Sequence, residues 1–178
     1  MSSDVARCNE ELDELLHIAP WGDKNQIGLN CRNGATNRWY DAVGGLSNAN
    51  SPAYGGKETD FTIWNIDIQS YIRGQLEQLK EHLGVEFGRI RIMRLMPHHG
   101  LSIHRDHEVR YHLVLKTNNK ALFGEVSQEY AGSSDVPVYG LNYHIPMDGN
   151  WYEVDTTKYH WVYNGGEQER IHLVVCGV

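Results

Sequence analysis

Residues 84–116 read GVEFGRIRIMRLMPHHGLSIHRDHEVRYHLVLK, and the change of period along this stretch decides the fold class. Before it, apolar residues recur at three- and four-residue intervals. Ile68, Ile72, Leu76, Leu79 and Leu83 make one such stripe, which predicts a helix from about Ile68 to Leu83, with Asp67 as its cap and Gly84 as its stop. After Gly84 the period is two. Strands are expected at 87–95, 101–106, 109–116, 121–127, 138–145, 151–155, 159–163 and 169–176, with Gly, Pro and Asn turns between them. Short strands at regular spacing predict a mainly β architecture, a sandwich or barrel. Towards the amino terminus, Leu12, Leu15 and Leu16 predict a short helix over 9–18. Residues 20–57 are rich in Gly and Asn, with Trp21, Trp39 and Tyr40 among them. They read as loop with short strands, with turns at Gly44-Gly45 and Gly55-Gly56, and as a candidate lid. At 178 residues the chain is expected to be one domain: helix and loop support over 1–85, β core over 86–178.

A hydrophobic fraction of 40% and a charged fraction of 22% are ordinary for a globular protein. The net charge of −7 argues against a general nucleic-acid binder, which needs clustered Lys and Arg to neutralise phosphates. Arg89, Arg91 and Arg94 are close in sequence, but alternation splits them between two faces, and they read as local ion pairs or solvated charge. No apolar run is long enough to span a bilayer, and the acidic amino terminus does not resemble a secretory signal. Cys8, Cys31 and Cys176 are few, odd in number and dispersed. That suits free thiols in a reducing, cytoplasmic setting.

Within the quoted stretch, His104-Arg105-Asp106 carries the chemistry. An extended backbone there points His104 and Asp106 to one face, where both can grip one ion. His160, in a later strand, can supply a second imidazole. Two imidazoles and a carboxylate are the set that holds non-haem Fe(II) with positions left open. A lone His-x-Asp is a weak signal, but His98, His99, His104, His107 and His112 crowd into fifteen residues. Such crowding also suits adventitious zinc or nickel. Arg170 follows His160 by ten residues and offers a fixed cation for an anionic co-substrate. It lies on a probable core strand, where an unpaired charge is costly. The partner is a ligand carboxylate or, equally, a protein Asp or Glu. By alternation Arg110 shares a face with His112, and Arg170 with His172. Asn164 reads as a turn former and His172 as a core histidine. Trp151 and Trp161 read as core aromatics.

These motifs together resemble the aspartyl/asparaginyl β-hydroxylase family of Fe(II)/2-oxoglutarate-dependent dioxygenases, which includes bacterial proline-hydroxylase-like members. The resemblance covers roughly residues 86–176. It rests on Arg91 to Pro97, His104-Arg105-Asp106, Arg110-Tyr111-His112-Leu113, Leu115 to Asn118, Gly149 to Asp155, His160 to Asn164 and Arg170 to Leu173. It implies a double-stranded β-helix, or cupin-like jelly roll, with Fe(II) on His104, Asp106 and His160. Arg170 would bind the distal carboxylate of 2-oxoglutarate. Arg110 and His112 would hold the carboxylate beside its keto group. O2 would be consumed, succinate and carbon dioxide released, and an amino acid or amino-acid side chain hydroxylated. Where the family turn after Pro97 is usually Gly-rich, this chain has His98-His99-Gly100. Arg32, Arg38, Trp39 and His107 are candidate contacts to a small amino-acid or peptide substrate. The competing classes are a non-catalytic metal- or ligand-binding jelly roll and a cupin-type metal-dependent isomerase or hydrolase. Neither has a need for two carboxylate clamps.

Overall fold

A computed structural model describes residues 2–126 and 139–178. Helix α1 (Val5–Ile18) starts where the Asp4 side chain accepts the Arg7 amide. Helix α2 runs from Tyr71 to Leu83, shorter than its apolar stripe predicts. Ser70, not Asp67, is the cap, because the Asp67 carboxylate is spent on the Gln69 amide in the preceding turn. Ile68 is therefore left outside the helix and 69% exposed. Glu11 of α1 accepts from the Ser70 hydroxyl and from the amides of Tyr71 and Ile72, so one carboxylate of the first helix closes the open N–H groups of the second. Gly84 ends α2 in the left-handed region, at φ 66°.

The strands are β1 (Gln26–Gly28), β2 (Asn30–Cys31), β3 (Ile63–Trp64), β4 (Phe87–Leu95), β5 (Gly100–His104), β6 (Arg110–Lys116), β7 (Ala121–Val126), β8 (Tyr139–Tyr143), β9 (Trp151–Val154), β10 (His160–Asn164) and β11 (Arg170–Gly177). The expected strand ends at 127 and 138 lie outside the described residues. Every described pair is antiparallel. Five strands form one sheet in the order β1-β4-β11-β6-β9, and four form a second in the order β5-β10-β7-β8. The architecture is a mainly β jelly roll of the cupin type, flanked by the two helices.

Alternation explains the layers. Ile90, Ile92, Tyr111, Leu113, Leu115, Ile171, Leu173 and Val175 face outward from the larger sheet and pack against Leu12, Ile72, Leu76 and Leu79 of the helices. Val114 and Val154 face the other way and meet Phe123 and Val162 of the second sheet, with Ile145 from the segment after β8. The larger sheet is thus covered on both faces, and its central strand β11 is buried from end to end. Its inward face must also carry Arg89, Arg91, Arg110, His112, Arg170 and His172, the polar residues from which the site is built.

The segment 21–57 is fastened both by buried apolar residues, Ile27, Leu29, Ala42, Val43 and Ala53 among them, and by polar side chains. Asn30 donates to the carbonyls of Phe61 and Gly88 and accepts the Ile90 amide. Asn65 donates to the carbonyls of Gly28 and Arg38. Arg89 and Glu58 form a buried ion pair at 2.6 Å. Gly44 turns the chain at φ 83°, directly against Ser51, so that a Cβ there would overlap the serine side chain.

Candidate metal and carboxylate site

Strand β5 ends at His104, and its neighbour across the sheet is His160 of β10. The two rings lie 4.3 Å apart between centroids. Asp106 is outside the strand. Its amide donates to the Thr156 carbonyl at 2.8 Å, and this turn, not strand alternation, brings the carboxylate back towards the two imidazoles. One atom from each of His104, Asp106 and His160 lies within 4.8 Å of the other two.

The proton positions follow from the partners. The His104 Nδ1 lies 2.7 Å from the Ser102 carbonyl, and the His160 Nδ1 lies 2.9 Å from the Lys158 carbonyl. A carbonyl only accepts, so each Nδ1 donates and each Nε2 keeps its lone pair. The His160 Nε2 stands 3.7 Å from Oδ2 of Asp106. That oxygen is buried without a hydrogen-bond partner, while Oδ1 takes the Arg110 guanidinium at 2.6 Å. Burial lowers the His160 pKa, which favours the neutral, metal-ready imidazole. Phe123 stacks on the His160 ring at 5.1 Å and limits its rotation. Two lone pairs and a stranded carboxylate oxygen converging at one point are the donor set that a divalent iron ion requires, so the residues present fit the metal.

Arg170 lies deeper, on β11. It is 8% exposed, and among the described residues no carboxylate lies within ion-pair distance. The protein Asp or Glu that could have neutralised it is thus missing there. Its NH2 donates instead to the His172 Nδ1 at 3.0 Å. Burial lowers the guanidinium pKa to about 9, and burial together with the Arg170 charge holds His112 and His172 well below the usual histidine range. Nε2 of His112 and Nε2 of His172 are both buried without partners. A buried cation with no acid beside it among the described residues is a place for an anion. A narrow cavity of about 170 Å³, bordered by Met93, Leu95 and Gly100, reaches Arg170 from the surface.

A larger cavity of about 640 Å³ lies on the other side of Asp106. Its walls are residues 44–47 and 56–59, with Asp106, His107, Glu108 and Arg110 opposite. Of the sequence-based substrate candidates, His107 lines this cavity. The other three do not. Arg32 is held by Asp41 and the Pro52 carbonyl, Arg38 by Asn65 and the Trp64 carbonyl, and Trp39 packs against the helical core. The loop borders the site through its glycine turns instead. Arg110 forms an ion pair with the Asp106 carboxylate, and its Nε is buried without a partner.

The three arginines of β4 are not merely local or solvated charge. Arg94 pairs with Glu169 at 3.7 Å and lies over Trp21. Arg89 and Arg91 share the inward face and are buried. Arg89 takes Glu58, whereas the Arg91 guanidinium, among the described residues, donates to Gln26, the Gly44 carbonyl and the Cys176 sulfur. Asn164, expected to form a turn, is a buried staple that donates to the carbonyls of Leu95, Met96 and Gln168. Glu58 was not foreseen from the sequence, whereas the turn at Gly44-Gly45 was.

A family model described as aspartyl/asparaginyl beta-hydroxylase matches residues 72–177. Among solved structures, an oxidoreductase of the 2OG-Fe(II) oxygenase family from Burkholderia pseudomallei is 16% identical, with 65% of this chain and 58% of that chain covered and a TM-score of 0.47. A cupin domain from Bordetella pertussis is 17% identical, over 52% of this chain and 83% of that chain, with a TM-score of 0.37. No curated protein matches significantly. No helix among the described residues is long and apolar enough to cross a membrane.

Proposed function

Because the chain belongs to the aspartyl/asparaginyl β-hydroxylase family, a family of hydroxylase-type oxygenases, we propose that it is an Fe(II)/2-oxoglutarate-dependent dioxygenase. Its substrate in this reading is an amino acid or an amino-acid side chain. The observation that carries the reading is the clustering of one ligand atom from each of His104, Asp106 and His160 within 4.8 Å, with the Asp106 Oδ2 stranded 3.7 Å from the His160 Nε2, beside a buried arginine that has no acid of its own among the described residues.

His104, Asp106 and His160 would hold the iron, and Arg170 the distal carboxylate of 2-oxoglutarate. When bound, these groups supply the oxidising power, with O2 consumed and succinate and carbon dioxide released. The protein's part is position and charge. The Ser102 and Lys158 carbonyls fix the two imidazole tautomers. Arg110 holds one Asp106 oxygen and leaves the other for the metal. Its own Nε, buried without a partner, is free for a ligand oxygen. Phe123, Val114 and Val162 keep the interior beside His160 dry, so charged contacts there are stronger than in water. The larger cavity, with His107, Glu108 and Lys57 on its walls, is where the substrate would meet the metal edge. The two carboxylate-directed features would be superfluous in a cupin-type isomerase or a passive metal binder.

The test is a succinate-release screen over free amino acids and peptides, with Fe(II), ascorbate and 2-oxoglutarate. Slow succinate release is expected even without the true substrate, and the correct substrate should raise it. No metal- and 2-oxoglutarate-dependent succinate from fully metal-loaded protein, with or without candidates, would reject the reading.

A further inference from the structure

His172 follows Arg170 by two residues, so the two side chains share the inward face of β11. It is fully buried, at 1% exposure. Its Nδ1 lies 3.0 Å from the Arg170 NH2 and 3.2 Å from the His112 Nδ1. A guanidinium has donors only, so the His172 Nδ1 must be the bare, accepting nitrogen. The neutral ring therefore carries its proton on Nε2. The same argument then fixes His112. Its Nδ1 faces a nitrogen that cannot donate, so it carries the proton, and its Nε2 is the bare one.

Two consequences follow. The His112 Nε2 presents a lone pair and, in this state, cannot donate to a carboxylate. The His172 Nε2 presents a hydrogen, buried and without a protein partner. A buried donor left open beside a buried cation that lacks an acid is one half of an anion site. The single lone pair on the His172 Nδ1 is also approached by two donors at once, which leaves Arg170 free to turn an N–H towards a better acceptor.

We propose that His172 is a direct contact for the anionic co-substrate, donating from Nε2 to the carboxylate that Arg170 binds, with its proton position set by Arg170 itself. This rests on the reading of Arg170 as the 2-oxoglutarate site. It adds an imidazole donor at the distal carboxylate, where Arg170 alone was expected.

The experiment uses the full chain loaded with Zn(II), which binds without turning over. Binding of 2-oxoglutarate, and of glutarate as a probe lacking the keto group, is measured by calorimetry. His172→Leu should weaken both ligands about tenfold or more, as expected for one lost bond to a charged acceptor. His172→Gln places an amide N–H where Nε2–H stood and should recover most of the affinity. His172→Asn keeps only an acceptor near the Nδ1 position and should not. The 15N resonances of the ligand-free protein should show His172 protonated on Nε2. Recovery by Asn but not Gln, or a proton on the His172 Nδ1, would overturn the contact and leave a residue that merely orients Arg170. Unchanged binding in His172→Leu, with the wild type binding normally, removes this proposal alone. Failure of the wild type to bind 2-oxoglutarate removes the co-substrate reading with it.

Discussion

Replacing Arg170 by Lys keeps one positive charge and removes the planar fork that grips a carboxylate through two parallel bonds. The loss is calculable because the surroundings are so bare. Among the described residues Arg170 has no acid partner, and its one side-chain acceptor is the His172 Nδ1 at 3.0 Å. No alternative protein carboxylate is therefore on hand to compete for the shortened side chain or to compensate for it. One charge-assisted hydrogen bond to the ligand disappears, worth about 1.5–3 kcal/mol. At about 1.4 kcal/mol per decade, the 2-oxoglutarate concentration for half-maximal succinate release should rise roughly 10- to 150-fold. Burial adds to the effect in the same direction. It already pulls the Arg170 pKa down to about 9, and an ammonium starts from a lower value than a guanidinium, so the lysine is more easily neutralised. The assay is succinate release against 2-oxoglutarate, with calorimetric binding in parallel and thermal unfolding as a check on folding. A folded variant whose 2-oxoglutarate dependence matches the wild type would refute the assignment.

Other outcomes follow from the same geometry. His160→Ala removes a buried ligand and should abolish turnover and greatly weaken metal binding, read as metal retained after dialysis; full activity would sink the assignment of His160. Glu58→Gln breaks a buried ion pair whose sides are 4% and 3% exposed, and should cost about 3–5 kcal/mol in urea unfolding. The pH dependence has a definite sign. Burial pushes the Glu58 carboxyl up, but the Arg89 hydrogen bonds and charge outweigh it and leave the pKa below the ordinary 4.5. The pair's stabilisation is thus fully present above about pH 4.5 and is lost as pH falls through the lower folded value, and Glu58→Gln should flatten that part of the stability profile. Gly44→Ala meets both a positive φ and the Ser51 side chain; it should destabilise by at least about 1 kcal/mol, and a neutral result in urea unfolding would show that the 44–51 turn relaxes freely.

Period and turn chemistry carried the architecture. The switch at Gly84 from a helical stripe to alternation placed the end of α2 and most strand ends within one or two residues, with the start of α2 three residues early. What failed failed locally. Asp67 and Ser70 are both good caps, and only the structure reveals that Asp67 is consumed by the Gln69 amide. Segment 21–57, a candidate lid by its Gly and Asn content, is a case where the sequence is silent on the fastening. Composition does not disclose that Asn30 and Asn65 each use their amides on backbone groups far away in sequence. The same blindness hid Glu58. An isolated acid in a loop gives no sign that it neutralises Arg89, 31 positions later, inside a barrel.

Residue types and spacing brought His104, Asp106 and His160 together correctly, but for a partly wrong reason. Alternation was expected to align His104 with Asp106, whereas a turn pinned to Thr156 does so. The difference matters chemically. A carboxylate on a strand is held by the ladder, while one on a turn needs its own support, and Arg110 provides it at 2.6 Å. Arg110 thereby supports the Asp106 carboxylate and still keeps its Nε open. The same step runs through the histidines. A sequence lists imidazoles without their protons, and function depends on which nitrogen is bare. In His104 and His160 the carbonyls of Ser102 and Lys158 decide it, and in His172 a guanidinium does. The partners reverse the outcome: carbonyls leave Nε2 bare, whereas Arg170 leaves Nε2 protonated. Under the proposed function the first state suits a metal and the second an anion, and the difference lies wholly in what touches Nδ1.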